Sequence, residues 1–227
     1  MDFTKFVSLL DQSSLFFCRA DRFLDPFEGT YTQANSERRT QHYQDLNLSH
    51  EESKWYLEYQ QSFTKWAREW TYISCWHANQ YESAAMWNLY AKTEEAVAIE
   101  TTYEKLAEVL PDNSFLGIVQ YIDYQTQWLP EGNTFHPFLH KRRSFEHERE
   151  VRAVIQDLPL GDINTTDIKL NDKLGYSAPL ELNSLITTVH VSPTAPAWFT
   201  KLVTNIIAKY GLKCAVNKSN LYVSPIN

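Results

Sequence analysis

Cysteine is scarce, and its spacing rules out its usual structural uses. Cys18, Cys75 and Cys214 are odd in number and lie far apart. They form neither a zinc ribbon nor a disulfide framework, so a reducing compartment is the simple expectation. Positive charge is in deficit too. Lys and Arg total 21 against 28 Asp and Glu, a formal net charge of −7. Such a chain lacks the broad basic surface from which sequence-independent duplex binding draws its affinity. No apolar stretch is long enough to span a bilayer. The start, "MDFTKFVSLLDQSSLFF", carries Asp2 and Asp11 and has no basic opening followed by an unbroken apolar run, so no signal peptide is expected. The reading is a cytoplasmic protein. Repeats, low-complexity tracts and clean linkers are also missing. One α+β domain over 1–227 with a helical insertion at about 30–70 is therefore the expected organisation.

Aromatic residues are plentiful. Thirteen Tyr and seven Trp suggest a core or cleft built from rings with polar tips. Phe3, Phe6, Val7 and Leu10 have helical spacing, which predicts a first helix. "SLFFCRA" alternates as a strand and "DPFEG" breaks it. Residues 49–70 predict a long helix opened by a Ser49–Glu52 capping box. A β-rich "TYISCWH" follows, then a helical "ESAAMWNLYAK", a strand "AVAIET", a helix "TYEKLAEVL" and the strong β run "FLGIVQYIDY". Residues 125–140 and 157–181 read as loops. The C-terminal end reads strand, helix, strand, as "ITTVHVSP", "AWFTKLVTNIIAKYG" and "KCAVNKSNLYV".

"SFEHEREVR", residues 144–152, concentrates charge. As a helix it gains a Glu148–Arg152 pair but has too few apolar residues to anchor it. As a strand, Phe145, Val151, Ala153 and Ile155 alternate against Glu146, Glu148, Glu150 and Arg152, and "VRAVI" is β-rich. The strand is preferred. It would project Glu148, Glu150 and Arg152 from one face at steps of about 7 Å. Open to water, that is a charged solvent face. Lining a cleft, it is a set of carboxylates that raise each other's pKa while Arg152 lowers it, fit to act as base, nucleophile, metal ligand or stabiliser of positive charge.

The stretches "LFFCRADRFLDPFEG" (15–29), "SCWHANQYESAAMWNLYAKTEEAVAIET" (74–101), "KRRSFEHEREVRAV" (141–154) and "VHVSPTAPAWFTKLVTNIIAKYGL" together resemble a bacterial family catalogued as a domain of unknown function and found near phage-defence genes. A more distant resemblance is to ADP-ribosyltransferases, which carry an Arg or His on an early strand, a Ser or Tyr on a middle strand and a Glu, often within E-x-E, on a late strand. The matching positions are Arg19 in "FFCRA", Ser74 in "YISCW" and Glu148 or Glu150 in "EHERE"; Trp76 stands where the middle motif usually has a second Ser or Thr. That resemblance implies an ADP-ribosyltransferase-like core of mixed, mainly antiparallel sheets, with NAD as substrate. It also implies a toxin or phage-defence effector that modifies a protein or nucleic acid, with an antitoxin or defence partner. Glu148 would be the catalytic carboxylate, with Glu150 orienting the acceptor. Arg19 would hold pyrophosphate through its planar fork. Tyr72, Trp76, Trp87 or Tyr90 would stack on the rings. Lys141, Arg142 and Arg152 would meet phosphate or acceptor.

Other readings of the same residues stay open. Arg19 can pair with Asp25 or Glu28, and Trp76, Trp87 and the aromatics of 55–70 can be core. His136 and His140 are four apart, with His147 and Glu148 nearby in sequence, a spacing that can bind metal on a helix. Asp25, Glu28, Glu148 and Glu150 with Lys141 would suit a magnesium-dependent nuclease, although no carboxylate-x-Lys pair stands on the late strand. A non-catalytic sensor or binding module of a defence system is the third reading.

Overall fold

The computed structural model describes residues 1–159 and 171–225. In chain order the elements begin with α1 (Phe3–Gln12), β1 (Ser14–Arg19), α2 (Gln33–Asp45), α3 (His50–Glu69), β2 (Thr71–His77), α4 (Ala84–Tyr90), β3 (Val97–Glu100), α5 (Tyr103–Val109), β4 (Ser114–Ile118) and β5 (Gln120–Ile122). They continue with β6 (His140–Arg142), β7 (Glu150–Gln156), β8 (Gly175–Pro179), α6 (Leu182–Leu185), β9 (Thr188–Val191), α7 (Ala197–Lys209) and β10 (Ala215–Lys218). Short 3₁₀ turns occupy Ala20–Arg22, His136–Leu139 and Arg143–Glu148. The class is mixed α+β with mainly antiparallel sheets.

The chain packs as two compact units. One contains Met1–Phe16, Asn79–Asp112 and Ser177–Asn227; the other contains Phe17–Ala78 and Asn113–Tyr176. In the first, β9 is central, parallel to β10 and antiparallel to β3. Val97, Val189 and Val191 are fully buried there. Helix α7 buries Phe199, Val203 and Ile207, spaced four apart on one stripe. Phe199 meets Phe3 of α1 edge to face at 5.1 Å.

In the second unit β7 lies between β2 and β4, antiparallel to both. A strand flanked on both edges and covered on both faces needs no polar side, and Val151, Ala153, Val154 and Ile155 are all buried. The helical stretch expected near 30–70 is two helices. Thr32 caps α2 by accepting from Asn35 N–H, and α3 starts at the Ser49–Glu52 capping box.

Three stretches differ from the sequence reading. "FLGIVQYIDY" is not one strand but two. β4 pairs with β7 and β5 pairs with β6, the exchange of partner occurring at Val119. The expected loop 125–140 ends in a 3₁₀ turn whose Pro137 sits at its start. The expected loop 157–181 falls partly outside the described residues, and its later part contains β8. The expected strand over 144–152 begins only at Glu150. Residues 143–148 form a 3₁₀ turn, and Arg149 between them is left-handed, with φ 42° and ψ 56°.

Candidate functional site

Register decides which side chains share a face, because directly opposed residues of paired strands point the same way. Arg152 opposes Cys75, Glu150 opposes His77 and Val154 opposes Ile73. On the other face Ala153 opposes Ser74, Val151 opposes Trp76, and Ile155 opposes Tyr72, which in turn opposes Arg19. Glu150 and Arg152 therefore project from one side of the sheet, and Arg19, Tyr72, Ser74 and Trp76 from the other.

The segment around 135–148 covers the Glu150 side. Phe138 packs with Ile73, Val154 and Ala20, and Phe135 and Leu139 lie against them. Under this cover sits an ionic cluster built around two cations. The Arg152 guanidinium, fully buried, takes Glu28 in a two-pronged contact at 2.7 and 3.0 Å and donates through Nε to Glu150 Oε2 at 2.5 Å. Its Nη1 also donates to the Phe138 carbonyl at 2.8 Å. The Lys141 ammonium donates to Glu148 Oε2 at 2.5 Å and to Glu150 Oε1 at 2.7 Å, and lies 3.3 Å from Glu28. The Phe145 ring stands 4.6 Å from it. Arg142, at the edge, binds Asp25 at 2.8 and 3.2 Å.

Local sequence explains how each carboxylate arrives. In "DPFEG", Asp25 Oδ1 accepts from Phe27 N–H and its carbonyl from Glu28 N–H, which closes the turn. Gly29 has φ +71°, and a Cβ there would collide with the Phe138 ring. Only glycine lets the turn sit so close and aim Glu28 at Arg152. The left-handed Arg149 does the same for Glu148. It breaks the strand alternation between Glu148 and Glu150, so both carboxylates reach one ammonium instead of standing a strand step apart.

Five buried charges of this kind cannot all be free of penalty: three carboxylates face two cations. The excess is relieved at Glu148. Burial, then the hydrogen bond it shares with Glu150, raises its pKa to about 7. Burial also works to raise Glu150, but the hydrogen bond from Glu148 and the charges of Arg152 and Lys141 hold it well below the usual carboxylate range. Burial works to lower Lys141, yet Glu150 and Glu148 hold it above its ordinary value. Between the two shifts the pair holds one proton, on Glu148, and it is lost as pH rises through neutrality.

The cluster has an open edge. A hollow of about 540 Å³ is lined by Ala78, Ile118, Tyr121, His147, Arg149 and Glu150 among others. Tyr121 Oη accepts the Glu150 N–H at 2.8 Å. His77 Nδ1 donates to the Glu148 carbonyl at 2.6 Å, since a carbonyl can only accept. Tyr121 and His77 were missed as site residues from sequence. Neither belongs to a charge-bearing motif, and only the partner exchange at Val119 and the β2–β7 register bring them here.

The other expected site residues lie elsewhere. Arg19 is paired with Asp21 at 2.6 Å and donates to the carbonyls of Asn171 and, at 2.9 Å, Lys173. Tyr72 is buried and its hydroxyl accepts from Asn171. Ser74 is buried on the same face, and Trp76 has its indole N–H buried without a hydrogen-bond partner among the described residues. Trp87 and Tyr90 are on α4 of the first unit, where Trp87 Nε1 donates to Glu82 at 3.0 Å. Lys141 and Arg152 are members of the cluster rather than open acceptor contacts. The Nδ1 atoms of His136 and His140 donate to the carbonyls of Pro130 and His136, respectively. Among the described residues no group of three or more His, Cys, Asp and Glu could hold a metal ion, and the carboxylates proposed for magnesium already hold Lys141, Arg152 and Arg142. Nor, among the described residues, is any helix long and apolar enough to cross a membrane.

No protein-family model matches the chain, and neither a curated protein nor a solved structure matches it.

Proposed function

We propose that the chain is an enzyme that cleaves the nicotinamide–ribose bond of NAD and passes ADP-ribose to a hydroxyl-bearing acceptor, with Glu148 as general base and Glu150 as the fixed anion. One observation carries this reading. Glu148 and Glu150 meet on a single ammonium, Glu150 lines a hollow, and the two carboxylates are shifted in opposite directions. Carboxylates whose pKa values are pushed apart are the arrangement used to run base and charge-stabilising roles side by side. The substrate class comes from the resemblance to ADP-ribosyltransferases in "EHERE", and the ADP-ribosyltransferase-like core belongs to the same proposal.

In the step, the bond between the ribose carbon and the nicotinamide nitrogen breaks. Its electron pair passes to the ring nitrogen, which loses its positive charge, so the leaving group needs no acid. Positive charge develops at the sugar, as in glycoside hydrolysis, and the Glu150 carboxylate stabilises it. The acceptor oxygen bonds to that carbon and its proton passes to Glu148. Arg149 and His147 on the rim supply donors for the pyrophosphate, the role first expected of Arg19.

The test is release of nicotinamide from NAD by the purified chain, offered water, protein and RNA as acceptors. Glu148→Gln should lower the rate by about 100-fold or more while circular dichroism stays unchanged. No release with any acceptor overturns the proposal.

A further inference from the structure

A second hollow, of about 440 Å³, is lined by Ile118, Ile122, Trp128, His136, His140 and Gln127 among others, all in the same unit. It is of small-molecule size. Gln120 and Ile122 of β5 line it, while Tyr121 between them lines the first hollow, as strand alternation requires. Ile118 borders both hollows.

The lining has a defined hydrogen-bonding character. His140 Nδ1 donates to the His136 carbonyl at 2.6 Å and His136 Nδ1 donates to the Pro130 carbonyl at 3.1 Å. With Nδ1 carrying the proton, a neutral His140 ring keeps Nε2 as an acceptor. Burial holds His140 below its ordinary pKa and so favours that neutral form, against the backbone hydrogen bond that favours charge. Gln127 Oε1 already accepts from Asp123 N–H at 2.7 Å and from Arg143 Nη2 at 3.0 Å. Trp128 is 41% exposed, and the Arg38 guanidinium sits 5.0 Å from its ring centroid. A flat ring wall beside the His140 acceptor suits a planar heteroaromatic ligand that presents an N–H donor.

We propose that this hollow binds an amine-bearing purine, adenine in chemical class, against Trp128, with the exocyclic amine donating to His140 Nε2. A purine with a carbonyl at that position would set acceptor against acceptor and be rejected. In naming the site for the adenine half of NAD, the assignment rests on the transfer reading above. Its binding test stands apart from turnover.

The experiment is a calorimetric titration of the full chain with adenosine monophosphate and with inosine monophosphate. Saturable binding of the adenosine nucleotide is expected, at least about tenfold tighter than the inosine nucleotide. Trp128→Ala should weaken it by about tenfold or more and Trp128→Phe should largely restore it. The indole is exposed, so neither change threatens the fold. No saturable binding, equal binding of the two nucleotides, or indifference to Trp128→Ala overturns the assignment. Adenosine nucleotide bound through Trp128 by a chain that never releases nicotinamide leaves this site standing and removes the transfer reading. Nicotinamide release without such binding does the reverse.

Discussion

Glu148 is the residue on which the chemistry and the stability of the cluster both turn. Its pKa of about 7 means that the base form grows as pH rises through neutrality. The rate of nicotinamide release at low substrate should therefore climb between about pH 6 and pH 8 and then level. A profile flat over that range would remove Glu148 as the base. Stability runs the other way. A carboxyl whose folded pKa lies above the unfolded value of 4.5 is easy to bury when protonated and costly to bury when ionised. The folded state therefore loses stability as pH rises from about 4.5 to 7, by an amount on the order of 2–3 kcal/mol. Glu150, depressed below 4.5, contributes stability above that pH and loses it only in stronger acid. The two windows do not overlap. Glu148→Gln, which stays neutral, should match the natural chain in urea unfolding at pH 4 and exceed it at pH 8. Equal stabilities at both pH values would show that the proton is not held where the geometry puts it.

At the scale of elements, two short turns place the carboxylates, and they were unequally visible. "DPFEG" announces a turn, and Gly29 marks where the backbone turns left-handed. Nothing local says that Glu28 will meet Arg152, because the pairing spans 124 positions. "SFEHEREVR" shows that Glu150 and Arg152 share a strand face, as they do. It conceals that Glu148 does not lie on that strand, because Arg149 is neither Gly nor Asn and gives no sign of a left-handed turn. The early and middle strands were legible as strands in "SLFFCRA" and "TYISCWH". Which way Arg19 and Ser74 point was not, since facing depends on register with a strand nearly eighty residues later. Gly29→Ala tests the turn directly. The added methyl meets the Phe138 ring and forces a non-glycine residue to φ +71°, so a loss of about 2–4 kcal/mol is expected by thermal or chemical unfolding. A loss below about 0.5 kcal/mol would mean that the turn can shift, and with it Glu28.

At the scale of the whole molecule, the path of the chain explains why a fold with plainly readable elements hid its organisation. The chain passes between the two units at Phe16, Ala78, Asp112 and Tyr176. Neither composition nor turn residues mark these points, so no linker showed in the sequence. In each unit a strand from the second half of the chain is flanked on both edges: β7 between β2 and β4, and β9 between β3 and β10. The contacts that hold the sheets are accordingly long in sequence, and their closure entropy is met before the strands gain partners. A fragment ending at Asp112 keeps β2 and β3 but removes β7 from beside β2 and β9 from beside β3, leaving Ile73 and Val97 with much of their buried surface exposed. Such a fragment should show no cooperative unfolding transition and should be cut rapidly by protease. Mixed with the complementary fragment from Asn113, it should regain both protection and a single set of dispersed amide signals. A fragment 1–112 that folds alone would place the organising core in the first half of the chain, and β7, with the carboxylates it carries, would then be an addition to a structure that stands without it.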